Sequence, residues 1–258
     1  MWKTFWKTDA VYFVVLTMLS LVGCSLPLVS EEQITLQSSE QFQEMREQLE
    51  IAQDPADRAY VFCVARAIAA TLEPPYSEID WDIEVFQNDA VNAFAMPGGK
   101  IGVFTGILDV AVTQDQLGAV LGHEVAHVTL HHSVERANQT ITTQLGASAV
   151  GMATGSQMAA DMVGLGAQMG ILLPYGRGQE SEADVVGLKF MANAGFDPDA
   201  AVTLWQNMAK ANANAPPEFM STHPSSSSRI RDLQRQMAPN RLRYKSARMS
   251  GRVPNCRR

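Results

Sequence analysis

Cysteine is scarce in this 258-residue chain: Cys24, Cys63 and Cys256 are all it has. Three cysteines cannot build a disulfide scaffold or a four-cysteine zinc site. Charge is also thin, at 18% of residues, and leans acidic to a formal net charge of −7. Nucleic-acid binding needs a basic footprint, so no nucleic-acid partner is expected. Long apolar runs are missing too. The run rich in Val, Leu and Phe, Ala10 to Gly23, holds 14 residues, short of the roughly 20 that a spanning helix needs. Histidine is rare, yet four of the five histidines (His123, His127, His131 and His132) fall within ten residues. The length suits one globular domain with a single sizeable core.

The N-terminus reads as a targeting segment. Lys3 and Lys7 precede the apolar run, and residues 1–23 have the size and order of a signal peptide. Leu21-Val22-Gly23-Cys24 resembles a bacterial lipobox. In proteins of that kind the cut falls before the cysteine, which then carries lipid and holds the chain to a membrane surface. Ser25 follows in place of an aspartate, which by the same resemblance favours the outer membrane. A plain secretory signal is the alternative. Cys63 and Cys256 would remain free to pair in an oxidising compartment, and the sequence leaves that pairing open.

Beyond Cys24, residues 24–37 read as a polar tether. Helical spacing appears from Ser38 to Leu49, and again from Asp54 or Pro55 to about Leu72, with Val61, Val64, Ile68 and Leu72 on one stripe. Ile79 to Gln87 alternates as a strand, and Pro97-Gly98-Gly99 turns a hairpin between Asn92–Ala95 and Ile101–Phe104. Thr113 to about Val134 is a strong helix with Thr113 as its N-cap. Ala137 to Gly176 holds a single charge, Asp161, among small residues and methionines. It predicts small-residue helix packing or a mobile lid. Further helices are expected over 179–194, 198–211 and 225–237, and residues 239–258, with seven basic residues and no acid, as a loose basic tail.

The chemistry concentrates in His123-Glu124-Val125-Ala126-His127. Residues four apart on a helix share a face, so both imidazoles can reach one Zn²⁺, and Glu124 can hold and deprotonate a water there. Leu130 and Ser133 stand where a metzincin needs glycine and histidine, which excludes that class. Downstream, Glu180-Ser181-Glu182-Ala183-Asp184 sits on its own helix. Glu180 can supply a third ligand, and Asp184, one turn on, can orient a ligand histidine. His131 is expected outside the ligand set. His132 is expected to point elsewhere into solvent, and Glu182 to be a surface carboxylate.

These stretches, together with Asn92-Ala93-Phe94-Ala95, Arg177, Gly187, Thr222-His223-Pro224 and Arg229-Ile230, resemble metallopeptidase family forty-eight, a gluzincin group. The resemblance implies an α+β, predominantly helical fold over 38–238, with a small antiparallel sheet and the HExxH helix at the active site. It implies one Zn²⁺ per chain on His123, His127 and Glu180, with Glu124 as catalytic base. Asp184 and Arg177 would stand behind the ligands. Asn92, Ala93, Phe94 and Ala95 would form an edge strand that pairs with substrate backbone. His223 would either steady the oxyanion or fill the open metal position. The implied activity is a zinc endopeptidase of the bacterial envelope, on the periplasmic face of the outer membrane through lipid on Cys24. Its substrates would be unfolded or misassembled envelope proteins. An assembly factor or chaperone on the same fold is the alternative.

Overall fold

The computed structural model describes residues 28–211, 219, 223 and 227–258. The expected signal peptide and Cys24 lie outside these residues.

Helix α1 spans Glu31–Gln48, so the segment expected as a tether is helical from Glu31 onward. The reason is a capping box. Gln33 N donates to Ser30 Oγ at 3.2 Å while Ser30 N donates to Gln33 Oε1 at 2.9 Å, which satisfies two orphan donors of the first turn. Helix α2, Pro55–Ala69, starts as expected on Asp54, whose carboxylate accepts from Ala56 N. Three strands follow: β1 (Asp82–Phe86), β2 (Ala93–Met96) and β3 (Lys100–Phe104). The β2–β3 hairpin is antiparallel as expected, but β1 joins the far side of β3 in parallel. The sheet is therefore mixed and not wholly antiparallel, with β2 at its edge.

Alternation along the strands sorts side chains between two layers. Ile83, Val85, Ile101 and Val103 enter the main core with Val61, Val64 and Ile68 of α2. The opposite face sends Phe86 and Phe104 against Phe42 of α1, with Phe94 packed beside them. These rings meet edge to face at centroid distances of 6.0–6.4 Å, the geometry ring quadrupoles favour. Glu84 shares that face and is buried, and it is compensated by Arg46 at 3.3 Å and Arg58 at 3.0 Å.

Helix α3, Gln114–Thr129, runs through the middle of the molecule between β2, α2 and the later helices. Thr113 caps it, accepting from Gln116 N. The helix expected to reach Val134 stops early, because His131 adopts a left-handed backbone (φ 57°) and α4, His132–Thr154, sets off anew. Tyr76 Oη at 3.1 Å and Glu31 at 3.2 Å grip the two nitrogens of that His131 ring. After Gly155, α5 (Gln157–Ala167) folds back on α4, and a π turn over Gln168–Leu172 leads into α6, Leu173–Ala194. The charge-poor segment is thus a helical hairpin. Among the described residues no helix is long and apolar enough to cross a membrane. Helices α7 (Ala200–Ala211) and α8 (Ser227–Met249) complete the fold.

The C-terminus corrects the expectation of a loose basic tail. Helix α8 continues through Pro239 to Met249 because Met237, Asn240 and Ala247 are buried along it. Tertiary burial here overrides proline's usual penalty. The chain then returns to α2, where Cys256 forms a disulfide with Cys63 at a Cα–Cα distance of 5.6 Å. Arg258 pairs there with Asp57.

Candidate metal centre

Helices α3 and α6 cross at two glycines. A Cβ on Gly122 would stand 2.8 Å from the Gly187 carbonyl oxygen, and one on Gly187 would stand 2.7 Å from His123 N. No other residue permits that separation. The crossing places His123 and His127 of α3 opposite Glu180 and Asp184 of α6.

The side chains converge on one point. His123 Nε2 lies 3.1 Å from His127 Nε2 and 3.3 Å from Glu180 Oε2, and His127 Nε2 lies 3.5 Å from Glu180 Oε1. His223 joins them, its Nδ1 2.9 Å from Glu180 Oε2 and 3.2 Å from His123 Nε2. One ligand atom from each of the four residues lies within 4.8 Å of every other. Donors about 2.1 Å from a tetrahedral zinc are about 3.4 Å apart, so these spacings are those a small cation needs. Charge agrees with geometry. Three buried carboxylates, Glu124, Glu180 and Asp184, face one buried guanidinium, Arg229, an acidic surplus that suits a cation. Glu124 Oε1 is buried without a hydrogen-bond partner among the described residues. His223 Nε2 stands 3.5 Å from it.

The protonation pattern has the same cause. Burial opposes a proton on His123, but hydrogen bonds to Asp184 and Glu180 outweigh it and lift the pKa to about 9. Burial and the charge of His123 press His127 far below the usual imidazole range. Burial would raise the Glu180 carboxyl, yet hydrogen bonds from His123 and His223 hold it well below the usual carboxylate range. Asp184 is held down in the same way by Arg229 and His123.

A second ring of contacts fixes these groups. Asp184 Oδ1 stands 3.1 Å from His123 Nδ1. Arg229 grips Asp184 with two bonds of 2.6 and 2.7 Å and reaches Glu180 at 3.3 Å. Its guanidinium lies 4.0 Å above the Trp205 ring. Arg177, expected in this place, is instead exposed near the start of α6. Among the described residues no acidic side chain pairs with it. Arg229 was visible in the sequence only as one matching position.

His132 also departs from expectation. It is 1% exposed, with Nδ1 2.9 Å from His127 Nδ1 and Nε2 3.3 Å from Glu182 Oε2. The left-handed turn at His131 swings it beneath His127. Glu182 is a surface carboxylate as expected, but one that reaches inward to this ring. Gln179 closes the arrangement, donating to the His132 carbonyl and to Glu135. His131 stays out of the donor group.

The edge strand β2 lies against α3, within the same face of the fold. Ala93, Phe94 and Ala95 form it with Met96, while Asn92 precedes it and accepts from Phe104 N. Phe219 N donates to Val91 O at the head of that edge, and the Phe219 ring stacks on His223 at 4.7 Å.

A helix bearing HExxH, completed by a glutamate from a second helix, defines the gluzincin class of metallopeptidase site. Residues 55–237 match the model of Peptidase family M48, and the chain belongs to that family. It is 38% identical over 162 residues to the mitochondrial metalloendopeptidase OMA1 of Schizosaccharomyces pombe, covering 61% of this chain and 47% of that one. It is 29% identical over 211 residues to the beta-barrel assembly-enhancing protease of Yersinia pestis (76% and 43% covered). Identity to the metalloprotease LoiP of Escherichia coli is 27% over 218 residues (83% and 84% covered). The chain spans less than half the length of the first two relatives.

Proposed function

We propose that this protein is a zinc-dependent endopeptidase of the bacterial cell envelope that cleaves extended or misfolded proteins. The observation that carries the reading is the convergence of His123, His127 and Glu180 beside the unpartnered Glu124 carboxylate oxygen. A zinc ion held by those three would supply a Lewis acid for the scissile carbonyl and lower the pKa of a water. Glu124 takes a proton from the attacking water and passes it to the leaving amine. Asp184 and Arg229 keep His123 and Glu180 aimed inward. The edge of β2, unpaired among the described residues, would align an extended substrate by backbone pairing, which favours unfolded chains over any one sequence. His223 holds the resting site closed: its Nδ1 stands among the donors, where it occupies the position a water needs.

Three observations support the envelope. The Cys63–Cys256 disulfide belongs to an oxidising compartment. Leu21-Val22-Gly23-Cys24 resembles a lipobox, and lipid on Cys24 would hold the mature chain to a membrane surface. A relative is named for β-barrel assembly, which favours misassembled outer-membrane proteins as substrates and the periplasmic face of that membrane as the location.

Replacing Glu124 with Gln tests the chemistry. Casein cleavage is expected to fall at least 10²–10⁴-fold, with zinc content by metal analysis and the unfolding midpoint unchanged. Cleavage by the Gln variant at the parental rate, or parental cleavage that survives chelation, sinks the reading.

A further inference from the structure

The hairpin of α4 and α5 wears its apolar side chains on the outside. On α5 and the π turn, Met158, Met162, Leu165 and Met169 recur at spacings of four, three and four, and all are exposed. That spacing is one helical stripe. A water-soluble helix turns such a stripe toward its core. Here the inward face carries small residues instead, so that a Cβ on Gly151 of α4 would lie 2.9 Å from Ala160 Cβ of α5. Met152, near the tip of α4, is 80% exposed, and Met158, just past the turn, 76%. Between Ala137 and Gly176 the single charge is Asp161, and Gln157 already donates to it at 2.8 Å. Such a concentration of exposed apolar surface marks an interaction site.

The structure also shows where the N-terminal segment enters the body. Val29 N donates to Asn138 Oδ1 at 2.9 Å and Asn138 Nδ2 donates back to Val29 O at 3.0 Å. Val29 is thereby clamped to the base of the hairpin. Four residues separate Cys24 from Val29, so the five steps of backbone span no more than about 18 Å extended. Along α4, Met152 is 14 residues past Asn138, about 21 Å of helix. The two lengths are of the same order, so an anchor on Cys24 would keep the hairpin close to the bilayer surface.

From this clamp and this stripe we infer that the α4–α5 hairpin is a second membrane contact, lying in the interface of the bilayer that holds the N-terminus. The inference rests on the anchored reading above. Its occupant is lipid acyl chain and not headgroup charge, since the hairpin offers no basic cluster. Binding is accordingly weak without the anchor and indifferent to salt, because one lipid chain or one short apolar face alone gives only marginal attachment. With both, α4 and α6, which lead directly from His127 and to Glu180, are held at the membrane surface, where the proposed substrates emerge.

The test uses the full protein purified with its own N-terminus and reconstituted in phosphatidylcholine vesicles containing acyl-brominated lipid. Met158→Trp and Met162→Trp each place a fluorophore on the stripe, and Leu242→Trp places one on α8, where the side chain is also exposed. The signal is the fluorescence gained over the parent protein. Quenching of the two stripe probes several-fold stronger than that of the Leu242→Trp probe, unchanged on raising salt, is the expected result. Equal quenching at all three positions, or none on the stripe, overturns the inference. A Met158→Glu, Met162→Glu double variant separates a polypeptide occupant from lipid. Its casein cleavage in vesicle-free solution is expected at the parental rate, and a raised KM there overturns the lipid assignment. The mass of the N-terminal peptide reports lipid on Cys24, and chelator-sensitive casein cleavage reports the peptidase, so failure of either underlying reading is seen separately from failure of the hairpin contact.

Discussion

His132 sits beneath His127 because the backbone turns left-handed at His131, a conformation that costs a non-glycine residue on the order of 1 kcal/mol. The cost is offset by contacts of both His131 nitrogens with Tyr76 and Glu31. What it yields is a Glu182–His132–His127 chain of hydrogen-bonding groups ending on a metal-donor ring. Such outer partners fix the orientation of a ligand imidazole and are worth 10–100-fold in metal affinity. His132→Ala is therefore expected to weaken zinc binding by about that factor in a chelator competition. Glu182→Gln should have a smaller effect, since its carboxylate is mostly in water. An affinity unchanged by His132→Ala would show the contact to be packing only. The pair His123 and His127 was legible from spacing alone, because the i, i+4 relation is a property of the helix itself. His132 was not. Its position depends on a helix break with no glycine or proline to mark it.

At the level of whole elements, the site exists because α3 and α6 touch backbone to backbone. The hydrophobic period and the Thr113 cap announce α3, and Gly195 announces the end of α6. Neither signal gives the distance between the helices, which Gly122 and Gly187 set. A methyl group on Gly187 would meet backbone atoms under 3 Å away, so the helices must part. Overpacking of this kind costs about 1–3 kcal/mol. Gly187→Ala is expected to lower stability by that amount in urea, and to weaken zinc binding as Glu180 withdraws from the imidazoles. Gly166→Ala is the contrasting case: its Cβ meets nothing within 4 Å. It should gain about 0.5–1 kcal/mol of helix propensity and leave zinc affinity unchanged. Two helix boundaries also differ from expectation, one for a local and one for a tertiary reason. The capping box that starts α1 at Glu31 was written in Ser30 and Gln33, but helical spacing drew the start to Ser38. The helix expected to end at Met237 runs on through Pro239, held by the buried side chains of Met237, Asn240 and Ala247.

On the scale of the molecule, the chain is closed into a loop far from the metal donors. Cys63 and Cys256 are 193 residues apart in sequence, and the sequence could name the two cysteines without bringing them together. Their bond, the Cys256 N to Gln114 hydrogen bond and the Arg258–Asp57 pair join α2, the start of α3 and the C-terminus in one junction. A Cys63→Ser, Cys256→Ser double variant should lose about 2–5 kcal/mol in urea unfolding, while its zinc affinity in native buffer stays at the parental value. Loss of zinc affinity alongside stability would mean that the junction and the site are one cooperative unit.

Tyr60 lies at this junction, and it gives the junction a pH signature. Burial, then the charge of Asp115, raises its phenol to about 12 against a smaller opposing pull from Arg258. Below about pH 10 the phenol is protonated in folded and unfolded chain alike, and its contribution is fully present. Between pH 10 and about 12 the unfolded chain ionises while the folded one holds its proton, so stability falls across that window. The loss is about 2–3 kcal/mol, two units at about 1.4 kcal/mol each. A Tyr60→Phe variant has no such proton, and its unfolding free energy should fall less steeply than the parent's from pH 10 to 12, with both proteins kept oxidised. Parallel curves would mean that the phenol ionises in the folded protein as it does in water, and that the junction opens before the tyrosine titrates.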